Sequence, residues 1–222
     1  MNFEIKIAIA SNKNFHTKTL PIILESLINN DIKKDNIIVF LAGYDSKYQE
    51  YIDGIQYRYL DYNSFEYSCL IDIVESELES EYWFLIHDTC KVGKNFKKLL
   101  YNIQNNKPQK IALKESPCMS IGLYSYEYLL SQKDKLISIK NKDYSEETIN
   151  MWKNWGVPNE DYILWKSEPN PEIYNNDTRW EVIDNNNWYN TETIRRTEYY
   201  YSLDIYKNKS NWGQSHILVN KI

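Results

Sequence analysis

Tyr82-Trp83-Phe84-Leu85-Ile86-His87-Asp88-Thr89-Cys90 decides the fold. Tyr82 to Ile86 carry aromatic and aliphatic side chains without Gly, Pro or formal charge, which suits a buried strand. The run then breaks into His87, Asp88 and Thr89: a potential ligand, a carboxylate and a hydroxyl. An open α/β sheet binds ligands outside the carboxyl ends of its strands, so polar groups here are placed for chemistry. The plainer alternative is that Asp88 caps a turn.

Working outward, Phe3-Glu4-Ile5-Lys6-Ile7-Ala8-Ile9-Ala10 alternates and then becomes apolar, which predicts a first strand. Ser11-Asn12-Lys13-Asn14 ends it, either as an ordinary polar turn or as a loop presenting backbone N–H groups and amides to a nucleotide. Leu20, Ile23, Leu24, Leu27 and Ile28 recur at helical spacing, with Thr17 or Thr19 as N-cap and Pro21 in the first turn. Asn36 to Ala42 reads as a second, buried strand, and Gly43-Tyr44-Asp45-Ser46 is another polar break at a strand end. Ile55 to Leu60 reads as a third, more exposed strand, and Ser64 as the cap of a helix turning Phe65, Cys69, Ile73 and Leu78 inward.

Beyond Cys90, Lys91-Val92-Gly93 turns the chain toward a helix carrying Phe96, Leu99, Leu100 and Ile103. Lys110 to Leu113 and Met119 to Tyr124 are short strands, and Asp143-Tyr144-Ser145-Glu146 has capping-box spacing before a further helix. From Pro169 to Asn190 the chain is loop-rich. This order predicts an α/β fold, a mixed and mostly parallel sheet flanked by helices, in one domain over residues 1–222. A nucleotide half over about residues 1–105 precedes an acceptor half over about residues 106–222.

A net charge of -5 and a pI near 5.4 exclude a general nucleic-acid binder, which needs a basic face. No apolar run reaches the length of a membrane span, and the N-terminus lacks the pattern of a signal peptide. Cys69, Cys90 and Cys118 have no metal-type spacing, and their odd number predicts reduced thiols and a cytoplasmic protein.

Taken together, the parts resemble GT-A fold glycosyltransferases. The strand running into His87-Asp88-Thr89 resembles their metal-binding Asp-x-Asp site, and Ile7-Ala8-Ile9-Ala10-Ser11-Asn12 resembles their first nucleotide-contacting loop. Trp152-Lys153-Asn154-Trp155-Gly156-Val157-Pro158-Asn159-Glu160-Asp161 resembles the Trp-Gly-x-Gly-Gly-Glu-Asp acceptor motif of inverting galactosyltransferase-like enzymes. Trp212-Gly213-Gln214-Ser215-His216 resembles the segment that supplies a late metal-coordinating His. Two departures stand out. His87-Asp88-Thr89 offers one carboxylate, with Asp88 answering to either the first or the middle position, and the acceptor motif lacks its paired glycines.

The resemblance implies transfer of a sugar from a nucleoside-diphosphate donor, UDP first, to a hydroxyl of a glycan, with inversion. Ser11, Asn12, Lys13, Asn14, Asp45, His87 and Asp88 would bind the nucleotide, and Asp88 with His216 would hold Mn²⁺ or Mg²⁺. Asp161 or Glu160 would take the acceptor's proton, and Trp152, Trp155, Gly156 and Trp212 would contact the acceptor. A non-catalytic carbohydrate-binding protein on the same scaffold is one rival, and a nucleotidyltransferase another. The latter usually needs a Gly-rich phosphate loop, and Ser11-Asn12-Lys13-Asn14 has no Gly.

Overall fold

The computed structural model describes residues 4–64, 66–104, 107, 109–112, 121–140, 180–183 and 194–210. In chain order the elements are β1 (Ile5–Asn12), α1 (His16–Ile28), a 3-10 turn (Lys34–Asn36), β2 (Ile37–Ala42), β3 (Tyr48–Ile52) and β4 (Ile55–Leu60). Then come α2 (Tyr67–Glu75), β5 (Tyr82–His87), β6 (Cys90–Val92), α3 (Phe96–Gln104), β7 (Lys110–Ala112) and β8 (Gly122–Ser125). Helices α4 (Tyr126–Ser131) and α5 (Lys133–Ser138) precede β9 (Trp180–Ile183), β10 (Ile194–Tyr200) and β11 (Ile205–Ser210).

These elements divide into two compact units. The first takes the described residues of Met1–Lys13, Lys34–His87 and Lys107–Pro169, and the second those of Asn14–Lys33, Asp88–Asn106 and Asn170–Ile222.

The first unit is a seven-stranded sheet in the order β3-β4-β2-β1-β5-β8-β7. β4, β2, β1 and β5 pair in parallel, while β3 and β8 run against their neighbours. β7 runs against β8, so five of the seven strands share one direction. The sheet is therefore mixed and mostly parallel, as the sequence predicts. All six residues of β2 are buried, as the near-continuous apolar run of an internal parallel strand requires. On one face Ala8, Ile38, Phe40, Leu60, Trp83 and Leu85 pack with Cys69, Leu70 and Ile73 of α2, Leu129 of α4 and Leu136 of α5. Phe40 and Trp83 meet edge to face at 6.4 Å, the arrangement favoured by the ring quadrupoles. Burial pushes the Cys69 thiol well above its ordinary value, so it behaves as an inert core residue.

Several local expectations are corrected. β4 is not a more exposed strand: β3 covers it, and Ile55, Arg58, Tyr59 and Leu60 are buried. β3 itself has no sequence pattern to reveal it, since all five of its residues are exposed. Its signal is the Asp53-Gly54 turn, where φ values of 51° and 83° supply the positive pair that a two-residue hairpin needs. Neither Thr17 nor Thr19 caps α1. The helix starts at His16 with Phe15 at the cap position, so Pro21 falls in the second turn, and Ile28 faces outward. α2 starts at Tyr67, not at a Ser64 cap; the Ser64 carbonyl instead accepts from the Tyr67 N–H at 3.1 Å. Cys90–Val92 is a strand where a turn was expected, and β9 lies within the segment read as loop. The expected helix after Asp143 lies outside the described residues.

The second unit holds α1, α3 and an antiparallel sheet in the order β6-β11-β10-β9. Its organising group is Asp204, a buried residue with φ 53° in the tight turn between β10 and β11. The Asp204 carboxylate accepts from the Asn95 N–H at 2.9 Å, next to the start of α3, and from the Tyr199 hydroxyl at 2.9 Å. Burial first, and then this bond to Asp204, hold the Tyr199 phenol above its ordinary value, so it remains a donor.

The Gly93 N–H bonds the Asp204 carbonyl at 2.7 Å, an approach that leaves no room for a side chain. A Cβ on Gly93 would lie 2.1 Å from Asp204 Oδ1. Gly93→Ala is therefore expected to destabilise the protein by about 1–3 kcal/mol, the usual range for overpacking a filled site. A urea midpoint equal to that of the parent protein would contradict this.

Candidate functional site

The strand order gives the first unit a topological switch point. From β1 the chain moves outward to β2 and β4 on one side, then returns to place β5 on the other side of β1. A crevice at such a reversal, beyond the carboxyl ends of the strands, is where open α/β sheets take their ligands. Because the pairings are parallel, those ends are aligned: Ala10 is opposite His87, Ser11 opposite Leu41, and Asn12 opposite Ala42. Ser11 and Asn12 finish β1 and His87 finishes β5, so apolar strand interiors give way to polar side chains at one edge.

Lys13 follows β1, and its Nζ lies 3.5 Å from Asp45 Oδ1 and 5.6 Å from the centroid of the Tyr44 ring. Tyr44 meets Tyr59 edge-on at 4.7 Å, and Tyr48 stacks on Tyr59 at 4.1 Å. The fold thus gathers Ser11, Asn12, Lys13, Asp45 and His87 at one edge of one unit, with a tyrosine cluster beside Lys13 that sequence reasoning missed. One expectation changes. The Lys13 N–H does not face outward for a ligand, because it donates to the Ala42 carbonyl at 3.0 Å. Gly43 and Tyr44 likewise donate their amides to the Tyr62 and Leu60 carbonyls, at 3.0 and 2.8 Å. These three amides are therefore taken up within the fold.

Asn14 and Asp88 belong to the second unit. Asp88 is buried, and its Oδ2 lies 2.6 Å from Thr19 Oγ1. Thr19 Oγ1 also lies 3.1 Å from the Phe15 carbonyl; a hydroxyl has one proton, and Asp88 Oδ2 is the nearer acceptor. At the next residue, Thr89 Oγ1 accepts from Lys207 Nζ at 3.0 Å, and the Thr89 carbonyl accepts from the Asn208 N–H at 3.0 Å. Two titratable groups near this corner are buried with it: Lys207, and Glu198, which stands opposite Lys207 in the β10–β11 pairing.

No family model matches the chain, and no curated protein matches it. Among solved structures, the chain is similar to S. aureus TarS 1-349 in complex with UDP, at a TM-score of 0.40 and 11% identity. The match covers 57% of this chain and 48% of that one, so this chain spans about half the length of its neighbour. Similarity at that level carries no argument, and the reading below rests on strand order and side chains.

Trp152, Trp155, Gly156, Glu160, Asp161, Trp212 and His216 lie outside the described residues. Among the described residues, no group of three or more His, Cys, Asp or Glu side chains forms a metal cluster. Asp88 is an oxygen donor of the type hard divalent cations take, and its Oδ2 is already bonded to the Thr19 hydroxyl. The Thr19–Asp88 bond leaves no local trace in the sequence, because the two residues are 69 positions apart and Thr19 sits at a helical core position. Among the described residues, no helix is long and apolar enough to cross a membrane.

Proposed function

We propose that this chain is a glycosyltransferase that takes a sugar from a nucleoside-diphosphate donor, UDP-linked first, and passes it with inversion to a hydroxyl of a carbohydrate acceptor. The observation that supports this most is the switch point between β1 and β5, with Ser11, Asn12, Lys13 and His87 at its carboxyl edge. Ser11 and Asn12 carry neutral groups suited to the hydroxyls and carbonyls of a nucleoside. Lys13 brings the positive charge suited to a diphosphate, and Asp45, an acceptor, lies beside it.

In the reaction the glycosyl–phosphate bond breaks as the acceptor oxygen attacks the sugar carbon from the opposite face. The bonding pair leaves on the nucleoside diphosphate, and the hydroxyl proton goes to Asp161 or Glu160. A divalent cation, held by Asp88 and His216, would neutralise charge developing on the leaving diphosphate.

The test is a thermal-shift screen of UDP, GDP and CDP with and without Mn²⁺, followed by product analysis. UDP with Mn²⁺ at one hundred times its dissociation constant is expected to stabilise the protein by about 2.7 kcal/mol. Incubation with UDP-sugars and glycan acceptors should then release UDP. Release of pyrophosphate from a nucleoside triphosphate would point to a nucleotidyltransferase, and sugar binding without turnover to a carbohydrate-binding protein. No shift with any nucleotide at millimolar ligand and metal rejects the donor site.

A further inference from the structure

Strand β3 closes one end of the first unit's sheet: β4 lies on one side of it, and among the described residues no strand lies on the other. All five of its residues are exposed, Tyr48 at 47%, Tyr51 at 68% and Ile52 at 41%. An open edge with large apolar side chains is a template for another strand, and proteins blunt such edges with proline, a bulge or charge. β3 has no proline, and it pairs with β4 from Tyr48 to Ile52 without a register shift. The charges beside it are turned toward this chain's own groups. Lys47 Nζ lies 2.5 Å from Asp72 Oδ1, and Glu50 Oε1 accepts from the Tyr59 hydroxyl at 2.5 Å.

The backbone of this edge points outward at alternate residues. Asp53-Gly54 is a two-residue turn, so Ile52 and Ile55 form the pair that exchanges both backbone hydrogen bonds. Such pairs alternate along an antiparallel ladder, which makes Glu50–Tyr57 and Tyr48–Tyr59 the next two. The N–H and C=O groups of Gln49 and Tyr51 therefore point away from β4, toward the open side. By the same alternation, those of Lys47 do so as well.

We propose that β3 is a self-association edge, at which two copies of this chain pair antiparallel about a two-fold axis through Gln49. In that register Gln49 stands opposite Gln49 of the second copy, Tyr51 opposite its Lys47, and Tyr48 opposite its Glu50. The backbone groups that meet, at Lys47, Gln49 and Tyr51, are the outward-pointing ones. A tyrosine ring then faces an ammonium on one side of the joined sheet, and a phenol faces a carboxylate on the other. Neighbouring registers fit less well. An axis at Glu50 sets two carboxylates directly opposite each other, which is destabilising. An axis at Tyr51 draws Asp53 and Gly54 of the turn into the pairing, and an axis at Tyr48 puts Tyr51 opposite Asp45, outside any strand. The pairing does not depend on the donor site.

The experiment is sedimentation velocity on the full chain over about 1–100 µM, because one short strand gives an interface at the low end of the size range and weak binding. The parent is expected to pass from monomer to dimer over that range. Tyr51→Pro deletes an outward N–H without removing a bond to β4, and is expected to leave only monomer. Tyr51→Lys sets lysine against Lys47 and should weaken the dimer about tenfold, while Tyr51→Glu sets a carboxylate against Lys47 and should stay within about threefold of the parent. Melting curves establish that each variant is folded. If Tyr51→Pro is not, the lysine and glutamate variants decide. A parent that stays monomeric throughout overturns the proposal and leaves the edge to a different partner. A folded Tyr51→Pro that dimerises like the parent overturns it by placing the contact elsewhere. Equal weakening by lysine and glutamate overturns the register through Gln49. None of these outcomes needs a nucleotide, so failure here leaves the proposed function standing.

Discussion

Arg58→Met is expected to destabilise the protein by about 3–5 kcal/mol, the range found when one partner of a buried ion pair is removed. The reason is Asp72, whose side chain is fully buried in the first unit beneath β4 and α2 neighbours. Arg58 bonds Asp72 through its Nε, Gln49 Oε1 through Nη1 at 2.6 Å, and Ser76 Oγ through Nη2 at 2.8 Å. Lys47 Nζ reaches the other Asp72 oxygen at 2.5 Å. Burial alone would raise the Asp72 pKa, but the bonds and charges of Arg58 and Lys47 outweigh it, and the carboxyl sits below its ordinary value of 3.8. Deleting the guanidinium leaves burial opposed only by Lys47 and Ser76.

A carboxyl with a depressed folded pKa contributes stability that is fully present above its unfolded value and is lost as pH falls through the folded value. Parent stability should therefore fall below about pH 4, and Arg58→Met should lose part of that acid dependence. Urea melts at pH 7 and pH 3 measure both effects. The double variant Arg58→Met, Asp72→Leu should recover much of the loss, because an apolar pair does not carry the desolvation cost. A single variant melting within about 0.5 kcal/mol of the parent would show that the network has no net value.

Replacing the proposed base is expected to lower turnover about 10²–10⁴-fold, the usual contribution of a positioned general base. Asp161→Asn and Glu160→Gln remove the carboxylates one at a time, and the residue whose loss produces the fall is the base. UDP binding should remain near the parent's in both variants, since a base acting on the acceptor hydroxyl contributes to the transition state and little to the donor complex. Turnover near the parent level in both would detach the Trp155-Gly156 to Glu160-Asp161 motif from catalysis, and the inverting assignment would go with it. A matching loss of UDP affinity would assign these carboxylates to donor binding.

The parts of the fold that were legible in the sequence are those where burial leaves a local pattern. β2 and β5 are buried along almost their whole length, so they read as uninterrupted apolar runs. α3 was equally plain, because Phe96, Leu100 and Ile103 recur at the spacing of one helical face. β3 was illegible because no face of it is buried, and the two-residue period arises only from burial. β4 alternates in sequence like a strand with one exposed face, yet Arg58 is buried with Tyr59 and Leu60. Only partners from β3 and α2 make its burial tolerable, and the sequence around Arg58 does not contain them.

The candidate site divides the same way. That polar residues follow buried strands at Ser11, Asp45 and His87 is a property of the chain itself, since strand interiors must be apolar and strand ends need not be. Which of those ends lie side by side is not local. Hydrogen bonds between β1 and β5 join residues 77 positions apart, Ile5 with Tyr82, and these pairings create the switch point. The sequence alone determined an α/β protein with a polar residue set at strand ends and one carboxylate at Asp88. Tertiary structure alone decided that β1 stands between β2 and β5, that Asp72 is held ionised, and that Thr19 bonds Asp88. Each of these depends on a free energy of desolvation or hydrogen bonding that exists only once distant segments meet.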